Sequence, residues 1–181
     1  ALNLRLRGMG VNIGPKVFGR VHKVLGGHMR LLITGGSKFD PAIGKDLYAL
    51  GFTIQQAYGL TETSGAATLN QPDEAHIDTV GRILPGNELK VLPPEGDAED
   101  GEIAIRGPIV MQGYYQRPDA NAEVFRDGWF LTGDLGRLDR EGRLTITGRK
   151  KEIIVLASGK NIYPEEIEAQ YRKSAVIKEI C

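Results

Sequence analysis

Residues 29–62 read MRLLITGGSKFDPAIGKDLYALGFTIQQAYGLTE, and this stretch decides the fold. Met29–Thr34 is a short apolar run closed by Gly35 and Gly36, the pattern of a buried strand. Asp40 before Pro41 is a helix start, because Asp caps free amides and Pro lacks the amide that the first turn leaves unpaired. The predicted helix reaches about Leu50 and stops at Gly51. Phe52–Gln56 is the next predicted strand, with YGLTE in the loop after it. Strand, helix, strand is the unit of an α/β layer. Functional loops favour the carboxyl ends of such strands. Upstream, Val11–Leu25 carries apolar residues at helical spacing, interrupted by Gly14 and Gly19, and predicts a helix.

After Asn70 the character changes. Asn87–Leu92, Gly101–Arg106, Trp129–Thr132, Leu135–Asp139 and Arg143–Thr147 are short strand candidates. Asp139–Gly142 carries a hairpin turn signal, 93–100 is an acidic loop, and Pro118–Phe125 predicts one short helix. A further boundary falls near Gly148. Beyond it come a charged β-branched run at Lys150–Val155, a loop at Ser158–Asn161, and a helix opened by Pro164 with Glu165 and Glu166 in its first turn.

The 181 residues can bury a real core. Twenty-three basic side chains balance 23 acidic ones, so no charge excess argues for nucleic acid or an anionic membrane. No apolar run approaches the ~20 residues that span a bilayer. The single Cys181 forms no internal disulfide. His22, His28 and His76 lack metal-ligand spacing, and no serine sits in a G-x-S-x-G context. The 24 glycines are spread among strand candidates, which predicts many tight turns and close backbone approaches.

Three segments carry chemistry: YGLTET at Tyr58–Thr63, TGD at Thr132–Asp134 and GRKKEI at Gly148–Ile153. Together they have the parts of a nucleotide site. Tyr58 offers a ring, Asp134 and Arg149 face sugar hydroxyls, Thr61 reaches phosphate oxygens, and Glu62 is a hard ligand for Mg²⁺. Simpler roles stand beside these. Tyr58 can anchor a turn, Thr61 and Glu62 can cap a helix, and Asp134 can cap the turn after TGD. Arg149 can pair with Asp134 or Glu152 on the surface, and Ile146 can be a core strand residue. Gly35-Gly36-Ser37 lacks P-loop spacing and can be a plain strand-ending turn.

With these motifs the chain resembles the adenylate-forming (AMP-binding) acid ligase superfamily, most closely the bacterial long-chain fatty acyl-CoA synthetases. The supporting runs are ITGGSKFD, QQAYGLTET, VGRILPGNELKV, GEIAIRGPIVMQGYY and DGWFLTGDLGRLDREGRLTITGRKKEIIVLASGKNIYPEEIE, nearly the whole chain. The resemblance implies an α/β, multi-domain architecture with α+β parts. Residues 1–80 would be part of an α/β nucleotide- and acyl-binding subdomain, 81–147 a small distorted β-barrel, and 148–181 a hinge and the start of a small C-terminal α+β domain. It implies that Thr61, Glu62 and Arg149 act in catalysis. Gly35, Gly36, Ser37, Tyr58, Gly59, Thr61, Asp134, Ile146 and Arg149 would line the nucleotide and acyl site, with the ring of Tyr58 against adenine and Ile146 on its other face. Glu62 would hold Mg²⁺, Lys151 would be the hinge, and Gly159 would lie near the pantetheine entrance, with Lys160 a weaker candidate.

The implied reaction uses ATP, Mg²⁺ and CoA and passes from fatty acid through acyl-AMP to acyl-CoA. The family's Ser/Thr/Gly-rich phosphate loop and its C-terminal catalytic lysine are not in these residues, so the chain is expected to be an internal fragment, inactive by itself. Two alternatives remain at this level: an acyl-AMP ligase that loads a carrier-protein thiol, and a catalytically inactive nucleotide-binding module. A cytoplasmic location is expected, with peripheral membrane association of the longer protein compatible with it.

Overall fold

The computed structural model describes residues 2–71, 77–93, 100–156, 161–171, 174, 176 and 177. Three short helices open the chain, α1 (Leu2–Arg7), α2 (Gly14–Val17) and α3 (Gly19–Val24). The single helix expected over 11–25 is therefore two. Pro15 starts α2, and Phe18 leaves helical geometry at φ −106° and ψ 34° just before the poor helix former Gly19.

The βαβ unit is present. β1 (Leu31–Gly35) pairs in parallel with β2 (Thr53–Leu60), joined by α4 (Pro41–Leu50). The caps are those the sequence signals. The Asp40 carboxylate accepts from the Ala42 amide at 2.8 Å. Gly51 takes φ 102°, and the amides of Gly51 and Phe52 return to the carbonyls of Tyr48 and Leu47. β2 runs further than expected. Tyr58, Gly59 and Leu60 belong to the strand, and only Thr61–Thr63 form a 3-10 turn. β2 is extended because β3 (Gly65–Leu69) returns antiparallel beside it, with a register shift at Tyr58/Gly59. A side chain at Gly59 would strike the Gly65 carbonyl, so the two backbones approach here only because Gly59 has none. β4 (Arg82–Ile83) completes a sheet of order β1-β2-β3-β4.

The second sheet holds β5 (Glu88–Val91), β6 (Gly101–Arg106), β7 (Phe125–Arg126), β8 (Trp129–Leu138) and β9 (Leu144–Arg149), with α5 (Pro118–Val124) before β7. Its order is β5-β6-β8-β7, and β9 also pairs with β8. The expected barrel is an open sheet: among the described residues no ladder joins β5 to β9. One edge of β8 is taken by β6 and the other is divided between β7 and β9, so β8 is the middle of a sheet that does not close.

The two strands expected at 129–132 and 135–139 are one strand, and TGD is a bulge inside it rather than a turn between two. Opposite Glu102 and Ala104 the β8 partners are Leu135 and Leu131, so Thr132-Gly133-Asp134 answers the single residue Ile103. Gly133 takes φ +75°. The Thr132 hydroxyl donates to the Ile103 carbonyl at 2.9 Å and accepts from the Asp134 amide at 3.1 Å. A bulge re-aims a side chain without ending the ladder. The Asp139–Gly142 hairpin forms as expected, with the Asp139 carboxylate accepting from the amides of Glu141 and Arg143.

The two larger sheets share a core. Tyr58 and Ala67 of the first pack with Ile103, Ile105 and Leu144 of the second. Ile103, Ile105 and Leu144 each contribute about 1.5–3 kcal/mol by burial. A smaller cluster of Tyr48, Ile54 and Ile77 fixes α4 on its sheet. After β9 come a 3-10 turn (Lys150–Glu152), the antiparallel pair β10 (Ile154–Val155) and β11 (Asn161–Ile162), and α6 (Pro164–Tyr171). Tyr163 packs on the backbone of Gly148, where a Cβ would sit 2.7 Å from the ring. Among the described residues no helix is long and apolar enough to cross a membrane.

Candidate functional site

The bulge of β8 sets the site. It turns Asp134 inward, where the residue is 7 % exposed. The Tyr58 hydroxyl donates to Asp134 Oδ2 at 2.7 Å, tying β2 to β8 across the core. Arg149 ends β9 opposite Asp134 in the ladder, and its Nε lies 3.4 Å from Asp134 Oδ1. Arg149 Nη1 also reaches Glu152 at 3.6 Å. Both surface pairings read from the sequence for Arg149 are therefore present.

A second acidic group lies nearby. The 3-10 turn after β2 places Glu62, whose Oε1 accepts from the Tyr114 hydroxyl at 2.8 Å. The turn is held by Thr63, whose hydroxyl accepts from the Leu60 amide and lies within bonding distance of the Leu60 and Gly65 carbonyls. A third acidic group links the bulge to the 3-10 turn after β9: Glu102 accepts from the Gly133 amide at 3.2 Å and from Lys150 Nζ at 3.2 Å. A cleft of about 410 Å³ runs over these groups, lined by Glu62, Tyr114, Asp134, Arg149, Lys150 and Lys151 among others.

Burial governs the electrostatics. It raises the Asp134 carboxyl above its ordinary value, against the lowering effect of the Tyr58 hydrogen bond and the Arg149 charge. Burial, followed by the Asp134 charge, pushes the Tyr58 phenol far up, so it remains a donor. The hydrogen bond to Glu62 is the chief cause of a raised Tyr114 phenol.

A folded carboxyl with a raised pKa favours the folded state below its unfolded value, ~3.9 for Asp. That contribution is lost as pH rises through the folded value, because the unfolded chain ionises first. Wild-type stability relative to Asp134→Asn should therefore fall as pH rises from about 4 through the raised value of Asp134. Denaturant melts at stepped pH read this directly. A flat difference would mean that Asp134 ionises as an ordinary carboxyl.

The cleft gathers Glu62, Asp134, Arg149 and Lys151. Thr61 is exposed at the start of the 3-10 turn. Tyr58 is 7 % exposed, its ring packs in the shared core and its hydroxyl meets Asp134. Ile146 packs against the same core. Gly35, Gly36 and Ser37 are exposed at the end of β1 and do not line the cleft. Gly159, Lys160 and His76 lie outside the described residues.

Glu102 and Tyr114 were not visible as site residues in the sequence, and Lys150 read as a solvated charge. Tyr114 is one of two adjacent tyrosines, and nothing local separates it from Tyr115, which is 88 % exposed. Among the described residues no three His, Cys, Asp or Glu side chains cluster into a metal site. One carboxylate completed by phosphate oxygens and water is a normal Mg²⁺ environment, so Glu62 fits that role.

Residues 9–115 match the family model of the AMP-binding enzymes. The long-chain-fatty-acid–CoA ligase FadD15 of Mycobacterium bovis is 44% identical over 163 residues, covering 90% of this chain and 26% of that protein. Long chain acyl-CoA synthetase 1 of Arabidopsis thaliana is 37% identical over 172 residues, again covering 90% of this chain and 26% of its own length. The chain thus spans about a quarter of the length of these curated relatives. Among solved structures, o-succinylbenzoate CoA synthetase (MenE) from Bacillus subtilis in complex with the acyl-adenylate OSB-AMP aligns at TM-score 0.77 and 31% identity, covering 87% of this chain and 34% of that one. ATP-bound MatB from Rhodopseudomonas palustris aligns at TM-score 0.72 and 36% identity, covering 82% and 31%.

Proposed function

This chain belongs to the AMP-binding enzyme family, and from that premise we propose that it is the nucleotide-binding segment of an ATP-dependent, AMP-forming fatty acyl-CoA ligase. The observation that carries the reading is the convergence of Asp134, Arg149 and Glu62 on one cleft. The identity to long-chain fatty-acid ligases supports the acid class. We divide the chain at 80/81 and 147/148 into an α/β part, a β-sheet part and the start of a C-terminal part. The need for ATP and CoA supports a cytoplasmic location.

In the first half-reaction an acid carboxylate oxygen attacks the α-phosphorus of ATP, and the bond to pyrophosphate breaks. In the second, the CoA sulfur attacks the acyl carbonyl and AMP leaves. The residues of this chain supply binding and charge rather than a nucleophile. Asp134 accepts hydrogen bonds from the ribose hydroxyls, with its two oxygens suited to a vicinal diol. Tyr58 holds that carboxylate in place. Arg149 keeps its charge at every working pH and faces ribose and phosphate. Thr61 offers its exposed hydroxyl to phosphate. Glu62 would hold Mg²⁺, which would neutralise phosphoryl charge.

Pyrophosphate exchange in the complete protein tests this. Labelled pyrophosphate should enter ATP only when fatty acid is present, and CoA should then drain the adenylate to acyl-CoA. Exchange without consumption by CoA, but with transfer to a carrier-protein thiol, would reassign the acceptor. ATP binding with no exchange for any acid would reduce the protein to a nucleotide-binding module.

A further inference from the structure

Tyr114 lines the cleft, but none of the three motifs contains it. Two separate contacts tie its segment to the turn that carries Glu62. The Met111 amide donates to the Glu62 carbonyl at 2.8 Å, and the Tyr114 hydroxyl donates to Glu62 Oε1 at 2.8 Å. Tyr114 is itself anchored. The Asn121 side chain accepts from the Tyr114 amide at 2.7 Å and donates to its carbonyl at 3.0 Å, so α5 clamps the backbone on both sides of the ring. Gly113, at φ +141°, lies against the same Asn121. The consequence for Glu62 is asymmetric: Oε1 is occupied by a phenol, whereas among the described residues no protein group bonds Oε2. A carboxylate held by one oxygen presents the other in a fixed direction.

We propose that Tyr114, clamped by Asn121, is a positioning residue that orients the Glu62 carboxylate for a divalent cation accompanying the nucleotide. The inference rests on the assignment of Glu62 to the cation made above. Groups that orient a metal-binding carboxylate govern affinity for the ion more than affinity for the organic ligand. Their loss costs about tenfold or more in metal affinity.

The probe is Mn²⁺, read by the EPR signal of the free ion, titrated into the complete protein carrying bound ATP at protein excess and without carboxylic acid. AMP binding without metal is measured in parallel by calorimetry. Tyr114→Phe removes one oxygen and keeps the ring. It should weaken Mn²⁺ about tenfold and leave the AMP affinity within about twofold, because AMP is held from Asp134 and Arg149. Asn121→Ala should move Mn²⁺ in the same direction by less. Glu62→Gln should weaken Mn²⁺ at least as much as Tyr114→Phe, and the double variant no more than Glu62→Gln alone. If Glu62→Gln weakens Mn²⁺ but Tyr114→Phe does not, Tyr114 is not a positioning residue although the cation site stands. If Tyr114→Phe weakens AMP and Mn²⁺ equally, its role is general packing and the proposal fails. If Glu62→Gln leaves Mn²⁺ unchanged, the cation assignment falls and takes the Tyr114 role with it.

Discussion

Asp134→Ala in the complete protein should abolish most adenylation while leaving the protein folded. Two effects follow from one carboxylate. In the folded state, the Tyr58 hydroxyl loses its acceptor at 2.7 Å in a buried setting. A buried group left unpaired costs about 1–3 kcal/mol, which a stable domain survives. In the nucleotide complex, two charge-assisted bonds to the ribose diol are lost, each worth about 1.5–3 kcal/mol. Together they correspond to roughly a hundredfold or more in kcat/KM for ATP. Deoxy-ATP separates the two effects. Wild-type protein should lose affinity for ATP that lacks a ribose hydroxyl, and Asp134→Ala should be nearly indifferent to the same change. Equal sensitivity in both proteins would return Asp134 to a role in the bulge alone. Asp134→Asn is the intermediate case, because it keeps an acceptor for Tyr58 and loses the charge.

The sequence carries the local half of this architecture and not the long-range half. α4 was legible to the residue because Asp40, Pro41 and Gly51 act within one turn of themselves. The Asp139–Gly142 hairpin was legible for the same reason. β8 was not. Gly133 at positive φ has the signature of a turn, and only the pairing of Leu131 and Leu135 with β6 on one side and of β9 on the other keeps the chain in the sheet. The end of β2 was hidden likewise, since Gly59 reads as a loop residue until Gly65 is placed against it.

Motif reading named Asp134, Arg149 and Glu62, and one cleft is lined by all three. It did not find what supports them. The Tyr58–Asp134 bond spans 76 positions, and the Tyr114–Glu62 bond spans 52. No periodicity or spacing encodes contacts at that separation. The ring of Tyr58 packs in the core between two sheets while its hydroxyl meets Asp134, a placement that only the tertiary fold sets.

Lys151→Pro should separate the two half-reactions. Arg149 is tied to Asp134 at 3.4 Å and Lys150 to Glu102 at 3.2 Å, so the chain is anchored to the second sheet up to that point. Lys151 is the next residue, exposed in the middle of the 3-10 turn, and holds no ion pair among the described residues. A rotation of the segment beyond β9 would concentrate its dihedral change here, as hinges do. Such a rotation must also lift Tyr163 from the backbone of Gly148. Proline fixes φ at 151 and restricts Lys150 before it, so both sides of the pivot stiffen. A backbone penalty of about 3 kcal/mol on the rotated state is roughly a hundredfold in rate. Acyl-AMP formation should then stay within about tenfold of wild type in single-turnover assays. Its CoA-dependent consumption should fall by about a hundredfold. An equal loss in both steps would place the damage in the fold or in the nucleotide site, because Arg149 and Lys150 lie immediately before the substitution. No loss in either step would move the pivot away from Lys151, and with it the division of the chain at 147/148.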